Sequence, residues 1–272
     1  MSRLTAPDLL RRKKAAYDAG DKGGRIVMVT AYDAQMARLV DMAGVDMVLV
    51  GDSLGMVIQG GSDTLSVTVE DMAYHGRCVA AGLENAHLTV DMPFMSYQVS
   101  VAQAMQTAGV LVQKGKAQSV KLEGGVRSAP AIAAIVEAGI PVVGHVGLTP
   151  QSVNAFGGFR VQGREKENAE RIVRDAHAVA EAGAFAIVLE MVPPALAAQI
   201  TAELGIPTIG IGAGPECDGQ VLVCTDMLGM NQQFSPKFLK RYADLEGTIT
   251  DAMRRYVADV KSGAFPTAAH SY

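Results

Sequence analysis

Four acidic residues stand at or near the ends of short apolar runs, where they could bind a metal ion or move a proton: Asp52, Asp91, Glu123 and Glu190. A carboxylate buried in a strand is costly unless it is paired with a cation or bound to a metal, so strands seldom carry one without a role. Lys121 precedes Glu123 by two residues, which puts both side chains on one side of their strand. One such acid is readily explained as a helix cap, but the combination predicts a functional site.

Three of these acids, Asp52, Asp91 and Glu123, belong to three consecutive apolar runs. If the runs are neighbouring strands, the three carboxylates converge from one side. Oxygen ligands without cysteine select a hard cation, with Mg²⁺ as the first choice and Mn²⁺ or Co²⁺ as alternatives. Three acids would leave coordination positions open for water or for a chelating substrate. The sequence therefore predicts a divalent-metal site.

Three further roles follow if a metal is present. Lys121 either binds a substrate carboxylate or forms a Schiff base, and a metal that already stabilises an enolate favours carboxylate binding. If the strands close into a barrel, Glu190 lies on a strand across from these acids and is free to act as the general base. His145, near the end of the run before it, is either a substrate contact or a strand-end histidine with structural partners.

The elements that must position these residues are short strands that alternate with helices. Apolar runs predict eight strands, at 26–31, 47–52, 88–92, 119–123, 141–146, 186–192, 207–212 and 220–224. Helical patterns fill most of the intervals and also predict helices at 7–18, after a Thr5 cap, and at about 237–262. This alternation predicts an α/β fold, a closed (β/α)8 TIM barrel, with an open doubly wound sheet as the alternative. In a barrel the four acids lie at the C-terminal face, where active sites occur.

Three segments leave alternatives open. Residues 213–219 are too few for an ordinary crossover helix, so either one helical turn replaces it or the last strand lies elsewhere. The glycine-rich residues 210–214 form either a phosphate-binding turn or a close-packed turn. Residues 157–164, with glycines at both ends, form either a mobile lid or a surface loop.

Composition excludes several classes of protein. The chain has 24 Lys and Arg against 28 Asp and Glu, a net charge of −4, which argues against nucleic-acid binding through a basic face. No run approaches the roughly 20 apolar residues that cross a bilayer. The three cysteines form no CxxC pair, which is typical of reduced thiols in the cytoplasm. We expect one cytoplasmic domain over 1–272, with helical extensions at 1–25 and 236–272, that binds small molecules and neither nucleic acid nor membrane.

Nine segments follow one another in order between about residues 26 and 235. They are Val29-Thr-Ala-Tyr-Asp33, Val50-Gly-Asp-Ser-Leu-Gly-Met56, Asp91-Met-Pro-Phe-Met-Ser-Tyr97, Lys121-Leu-Glu-Gly-Gly125, Gly144-His-Val-Gly-Leu-Thr-Pro-Gln151, Gly157-Gly-Phe-Arg-Val-Gln-Gly163, Leu189-Glu-Met-Val-Pro193, Gly210-Ile-Gly-Ala-Gly214 and Asp218-Gly-Gln220. Together these segments resemble the ketopantoate hydroxymethyltransferase family. A single motif of this kind would be weak, but nine in order are highly specific.

The resemblance implies a barrel of the phosphoenolpyruvate/pyruvate type that assembles as a homodecamer. It implies transfer of a hydroxymethyl unit from 5,10-methylenetetrahydrofolate to 3-methyl-2-oxobutanoate through a Mg-stabilised enolate. The products are ketopantoate (2-dehydropantoate) and tetrahydrofolate, a step of pantothenate biosynthesis.

The resemblance also implies residue roles, carried over position by position. One Mg²⁺ per subunit is held by Asp52, Asp91 and Glu123, the last two partly through water. The positions that match the ketoacid contacts are Asp52, Ser53, Asp91 and Lys121, with His145 as a further candidate. Glu190 matches the proposed base. Met191 stands where many relatives have Cys, and Thr225 stands where many have His.

Two other functions compete with this one. A Mg²⁺-dependent lyase or phosphomutase acting on 2-oxo acids would share the barrel, but such enzymes usually need a catalytic Cys or a phosphate-binding set, and no Cys lies among the acids. A non-catalytic barrel that binds a metabolite would be expected to have lost the acids, which are all present.

Overall fold

Eight parallel strands pair in sequence order and close into a barrel, because β1 also pairs with β8. The computed structural model describes residues 3–19 and 24–272. The strands β1 to β8 are Ile26–Thr30, Met47–Val50, His87–Asp91, Ser119–Glu123, Val142–Gly147, Ala186–Glu190, Thr208–Ile211 and Gly219–Leu222. The closed barrel confirms the predicted fold and rules out the open sheet.

Helices occupy most of the intervals between the strands. Helices α1 to α9 are Ala6–Ala19, Ala34–Met42, Leu54–Val57, Val69–Gly82, Val101–Gln113, Ala129–Glu137, Val153–Phe156, Lys166–Glu181 and Pro194–Glu203. Two of them show why the chain folds locally in this way. The Thr68 side chain accepts a hydrogen bond from Asp71 N–H, and the Asp71 carboxylate accepts one from Thr68 N–H, so a capping box starts α4. Gly44, with φ of +82°, follows the end of α2.

The last connection of the barrel contains no helix. β8 begins at Gly219, and its neighbours β7 and β1 pair with it directly. Asp218 secures the short connection because its carboxylate accepts hydrogen bonds from Thr208 N–H at 2.8 Å and from Lys13 Nζ at 2.8 Å. The predicted last strand is therefore in place, and a loop replaces the crossover helix.

The apolar core closes the N-terminal end of the barrel. Ala6 and Leu9 of α1 belong to the same buried cluster as residues from six of the strands, among them Ile26 and Met47. Leu9 has no exposed surface. Since apolar side chains fill this end, the polar site predicted at the other end has a rigid base.

A buried histidine makes a polar network in this core. His87 Nδ1 lies 3.0 Å from Leu4 O, and its Nε2 lies 2.8 Å from Ser119 Oγ, which is 2.8 Å from Thr89 Oγ1. Because a carbonyl only accepts, Nδ1 carries the proton and Nε2 accepts from Ser119. Burial lowers the pKa of His87 to about 4. The folded protein therefore holds this ring neutral.

Acid should destabilise the protein through His87. The unfolded chain takes up this proton near the ordinary histidine pKa of about 6.5, but the folded chain does so only near 4. The neutral ring therefore contributes its full stability above pH 6.5, and about 3 kcal/mol is lost as the pH falls to 4. Urea unfolding at pH 7 and pH 4.5 checks this, with His87→Gln as the non-titrating variant and His177→Gln, at a half-exposed histidine, as control. An equal pH dependence in wild type and His87→Gln would contradict the assignment.

The described chain divides by internal contacts into two compact units, Met1–Leu222 and Val223–Tyr272. The second unit contains the helices α10, Cys224–Met227, and α11, Leu245–Ser262. The prediction of a helix from residue 237 is wrong for its first eight residues. Arg241 donates to the carbonyls of Gln232 and Phe234, which holds this stretch as a loop, and Asp244 caps α11 by accepting from Gly247 N–H. One domain over 1–272 stays a prediction.

Two other predictions concern cysteines and membrane spans. The cysteines at positions 78, 217 and 224, all among the described residues, form no disulfide. Within residues 3–19 and 24–272, no helix combines the length and apolar character needed to span a bilayer. The helical extension predicted at 1–25 is observed as α1, while residues 1–2 and 20–23 of that prediction lie outside the described residues.

Candidate active site

Strand register places the predicted residues side by side at the C-terminal ends of β3 to β6. Asp91 of β3 is paired with Lys121 of β4, and Glu123 of β4 is paired with His145 of β5. Glu190 is the last residue of β6, the next strand. Alternation along β4 puts Lys121 and Glu123 on one face. The barrel thus gathers all five residues into one cluster.

Asp52 joins the cluster from the segment that follows β2. Its backbone N–H donates to Asp91 Oδ2 at 3.1 Å. Gly51 makes this approach possible, because a Cβ there would lie 2.8 Å from Ser53 Oγ and 3.5 Å from Asp91 Oδ2. Ser53 Oγ in turn lies 2.8 Å from Tyr32 OH. The predicted ketoacid contacts at 52 and 53 therefore lie next to Asp91.

Lys121 is a buried cation held by acids. Its Nζ lies 2.8 Å from Asp91 Oδ1 and 3.3 Å from His145 Nδ1. Burial alone would lower the pKa of Lys121, but the charges of Asp91, Asp52 and Glu123 outweigh burial and raise the pKa. A Schiff base needs a neutral amine, so this environment favours the carboxylate-binding role over the nucleophilic one.

The three carboxylates of the predicted metal site have too little positive charge around them to balance their negative charge. Asp52, Asp91 and Glu123 are each no more than 5% exposed. Burial raises the pKa of all three, to about 7 for Asp91, and repulsion from neighbouring carboxylates adds to the effect. Lys121 is one cation among three buried acids. A divalent cation is the addition that would restore charge balance.

His145 connects Lys121 with Glu190. Because a protonated amine only donates, His145 Nδ1 accepts from Lys121, and the ring proton is on Nε2. Burial and the charge of Lys121 lower the pKa of His145, which keeps the ring neutral. Nε2 lies 3.2 Å from Glu190 Oε2 without hydrogen-bond alignment. The Glu190 side chain is 18% exposed, far more than that of His145, so its carboxylate is accessible to a substrate.

The chemical type of its ligand atoms, rather than their present arrangement, is what fits the cluster to a metal ion. Within the part of the chain that the structure describes, no three His, Cys, Asp or Glu side chains are grouped so as to hold a metal ion. Asp52 Oδ2 accepts from Gln151 Nε2, Asp91 Oδ1 pairs with Lys121, and Glu123 Oε2 accepts from Gln151 N–H. Three buried carboxylates without a thiol nevertheless match the ligand preference of Mg²⁺. Their convergence on one ion stays a prediction.

Two residues of the site were not predicted from the sequence to have a functional role. Tyr97 and Gln151 are buried and are hydrogen-bonded to each other, with Tyr97 OH 2.8 Å from Gln151 Oε1. Both lie in motifs that carry the resemblance, Tyr97 after β3 and Gln151 after β5. The available signal was their position, since polar residues just beyond barrel strands face the site.

The two glycine-containing segments differ in packing. A Cβ on Gly210 would lie 3.0 Å from Cys217 Sγ, and one on Gly214 would lie 2.7 Å from Pro194 Cβ, which supports the close-packed turn. In contrast, nothing lies within 4 Å of a Cβ on Gly157 or Gly158. The lid role of 157–164 stays a prediction.

The fold defines a class of protein. A solved structure of 2,3-dimethylmalate lyase, described as a member of the PEP mutase/isocitrate lyase superfamily, has a TM-score of 0.59 at 19% identity and covers 98% of this chain and 92% of its own. Phosphonopyruvate hydrolase in complex with oxalate and Mg²⁺ has a TM-score of 0.60 at 14% identity, covering 98% and 93%. The chain therefore shares the TIM-barrel fold of these two structures.

Sequence comparison identifies the family within that class. The family model described as ketopantoate hydroxymethyltransferase matches residues 11–268. The 3-methyl-2-oxobutanoate hydroxymethyltransferase of Pelobacter propionicus is 58% identical over 99% of this chain and 97% of the relative. That of Trichlorobacter lovleyi is 53% identical over 99% and 98%. The chain belongs to the ketopantoate hydroxymethyltransferase family, which confirms the resemblance found in its motifs.

Proposed function

We propose that this chain transfers a hydroxymethyl unit from 5,10-methylenetetrahydrofolate to 3-methyl-2-oxobutanoate. The products are ketopantoate and tetrahydrofolate, a step of pantothenate biosynthesis in the cytoplasm. Family membership gives the reaction, and one structural observation supports it most. Lys121 is a buried, protonated cation among acids at the end of the barrel that carries active sites. It suits the carboxylate of a small 2-oxo acid.

Asp52, Asp91 and Glu123 would hold one Mg²⁺, and Asp52, Ser53 and Asp91 would also contact the ketoacid. When bound, the ion supplies Lewis-acid stabilisation of negative charge on the 2-oxo oxygen. Lys121 binds the substrate carboxylate and fixes the orientation of the ketoacid. The substrate is therefore bound at its carboxylate and 2-oxo end, by Asp52, Ser53, Asp91 and Lys121, and its C3 is left free.

Glu190 removes the proton from C3. His145, which is neutral and has its Nε2 3.2 Å from Glu190 Oε2, lies beside the base and contacts the ketoacid. The resulting carbanion at C3 attacks the methylene carbon of the iminium form of the folate, so a C–C bond forms. Water then displaces the folate nitrogen at that carbon: a C–O bond forms as the C–N bond breaks, the electron pair stays on the nitrogen, and the proton lost by water passes to it to give tetrahydrofolate. Lys121 and His145 are no more than 5% exposed, and this low exposure to bulk water strengthens their electrostatic contacts.

The oligomer is proposed from the family and from one helix. Ile249, Met253, Val257 and Val260 are all more than 40% exposed on α11, at a spacing that puts them on one side of the helix. Such an apolar side fits packing against another copy in a homodecamer. Analytical ultracentrifugation should give the mass of ten chains, and a monomer would contradict the proposal.

A coupled assay for ketopantoate tests the proposed function. The chain should form ketopantoate from 3-methyl-2-oxobutanoate and 5,10-methylenetetrahydrofolate, lose this activity in EDTA and regain it with added Mg²⁺. A lyase or mutase would instead consume a 2-oxo acid without folate, and a non-catalytic barrel would bind it unchanged. Either result would overturn the proposal.

A further inference from the structure

Gln151 makes an unusually complete set of contacts just beyond β5. It lies in the turn Pro150–Ser152 and is 6% exposed. Its side-chain Nε2 donates to Asp52 Oδ2 at 2.8 Å and to Met92 O at 2.9 Å. Its Oε1 accepts from Tyr97 OH at 2.8 Å and from Gln98 Nε2 at 3.1 Å. All donors and acceptors of the carboxamide are therefore used.

These contacts fix the orientation of the carboxamide. A backbone carbonyl only accepts, so Met92 O requires the NH₂ end of Gln151 on its side. The other N–H of that group then points at Asp52 Oδ2. A flipped amide would set an oxygen against both Met92 O and Asp52. Asp52 consequently has one oxygen held by Gln151 and Oδ1 left outside this bond.

The backbone of Gln151 holds a second acid. Its N–H donates to Glu123 Oε2 at 3.1 Å, which leaves Oε1 outside this bond. Tyr97 OH supports the same arrangement, since it accepts from Glu123 N–H at 3.1 Å and lies at hydrogen-bond distance from Gln151. One residue after β5 therefore orients carboxylates from two other parts of the barrel, the segment after β2 and the end of β4.

We propose that Gln151 is a positioning residue for divalent-metal binding, which it serves by turning one oxygen of Asp52 and one of Glu123 toward a shared ion. This inference rests on the proposed function, because it assumes that these acids bind a metal. Partners that orient metal ligands typically account for 10- to 100-fold in metal affinity. Gln151 itself does not touch the ion or the reacting atoms in this account.

The test compares Gln151→Met with Gln98→Met. Methionine keeps the length of glutamine but removes both contacts to Asp52 and Met92. Gln98 is exposed, contacts the same carboxamide and touches neither acid, so its substitution is the matched control. Calorimetric titration with Mg²⁺, in the presence of 3-methyl-2-oxobutanoate, should show about 10- to 100-fold weaker binding for Gln151→Met. Gln98→Met should stay within about twofold of wild type.

A second variant and a second measurement keep the roles apart. Gln151→Asn keeps an amide and the backbone N–H to Glu123 but is too short to reach Asp52, so it too should bind Mg²⁺ more weakly. Urea unfolding in EDTA measures stability without metal. A lower urea midpoint with wild-type Mg²⁺ affinity in both variants would show a merely structural residue and overturn the inference. If wild type itself takes up no Mg²⁺ with the ketoacid, the metal site of the proposed function fails instead.

Discussion

Glu190→Gln should lower the rate of proton removal from C3 of 3-methyl-2-oxobutanoate by about 10²- to 10⁴-fold. The amide keeps the size of the carboxylate but cannot accept the proton. The Glu190 side chain is partly exposed, and its 3.2 Å contact with His145 Nε2 lacks hydrogen-bond alignment. The substitution should therefore disturb its surroundings little. The measurement is deuterium exchange at C3 by NMR, with Mg²⁺ and without folate, so that only the first chemical step is observed.

The matched control for Glu190→Gln is Glu203→Gln. Glu203 also contacts a histidine, since its Oε2 lies 2.9 Å from His177 Nε2, but both side chains are more than a third exposed. This control should exchange at the wild-type rate. Wild-type exchange in Glu190→Gln would remove Glu190 from the role of base.

Lys121→Met should weaken binding of the ketoacid by about 30-fold or more. The substitution removes the cation proposed to bind the substrate carboxylate, and removing one partner of a buried charge pair costs on the order of 2 to 5 kcal/mol. The loss should fall on substrate affinity, measured by calorimetry with 3-methyl-2-oxobutanoate. Borohydride reduction of wild type with the ketoacid should trap no covalent adduct, because the lysine is protonated.

Lys13→Met is the control for Lys121→Met because it removes the same side chain from a similar pair. Lys13 Nζ lies 2.8 Å from Asp218 Oδ2, and the lysine is 10% exposed. It should lose stability in urea without any change in ketoacid affinity. Unchanged affinity in Lys121→Met as well, or a borohydride-trapped adduct in wild type, would contradict the carboxylate-binding role.

The sequence predicted the barrel well because local signals and the fold agree. Helix α5, Val101–Gln113, fills one of the intervals where helical patterns predicted a helix, since Ser100 caps it and the following strand begins after a short polar segment. The helix predicted from residue 237 was wrong because its start depends on hydrogen bonds from Arg241 to carbonyls several residues earlier. Those contacts have no signature in helical periodicity.

The site was predictable where strand ends determine it. Asp91, Lys121, Glu123 and Glu190 lie on strands, so alternation and strand order bring them together. The role of Gln151 was not predicted because it depends on contacts with Asp52 after β2, Met92 after β3 and Glu123 on β4. These segments meet only in the folded barrel. Likewise, the contact between His145 and Lys121 follows from the pairing of β4 with β5 and could not be read from either strand alone.

A crystal grown with Mn²⁺ and 3-methyl-2-oxobutanoate would test the gathering of three acids around one ion. Anomalous scattering should reveal a single Mn²⁺ per chain that contacts Asp52, with Asp91 and Glu123 bound directly or through water and the ketoacid completing its shell. A barrel end without an anomalous peak, or a peak held by other residues while these three carboxylates keep their present partners, would contradict the account.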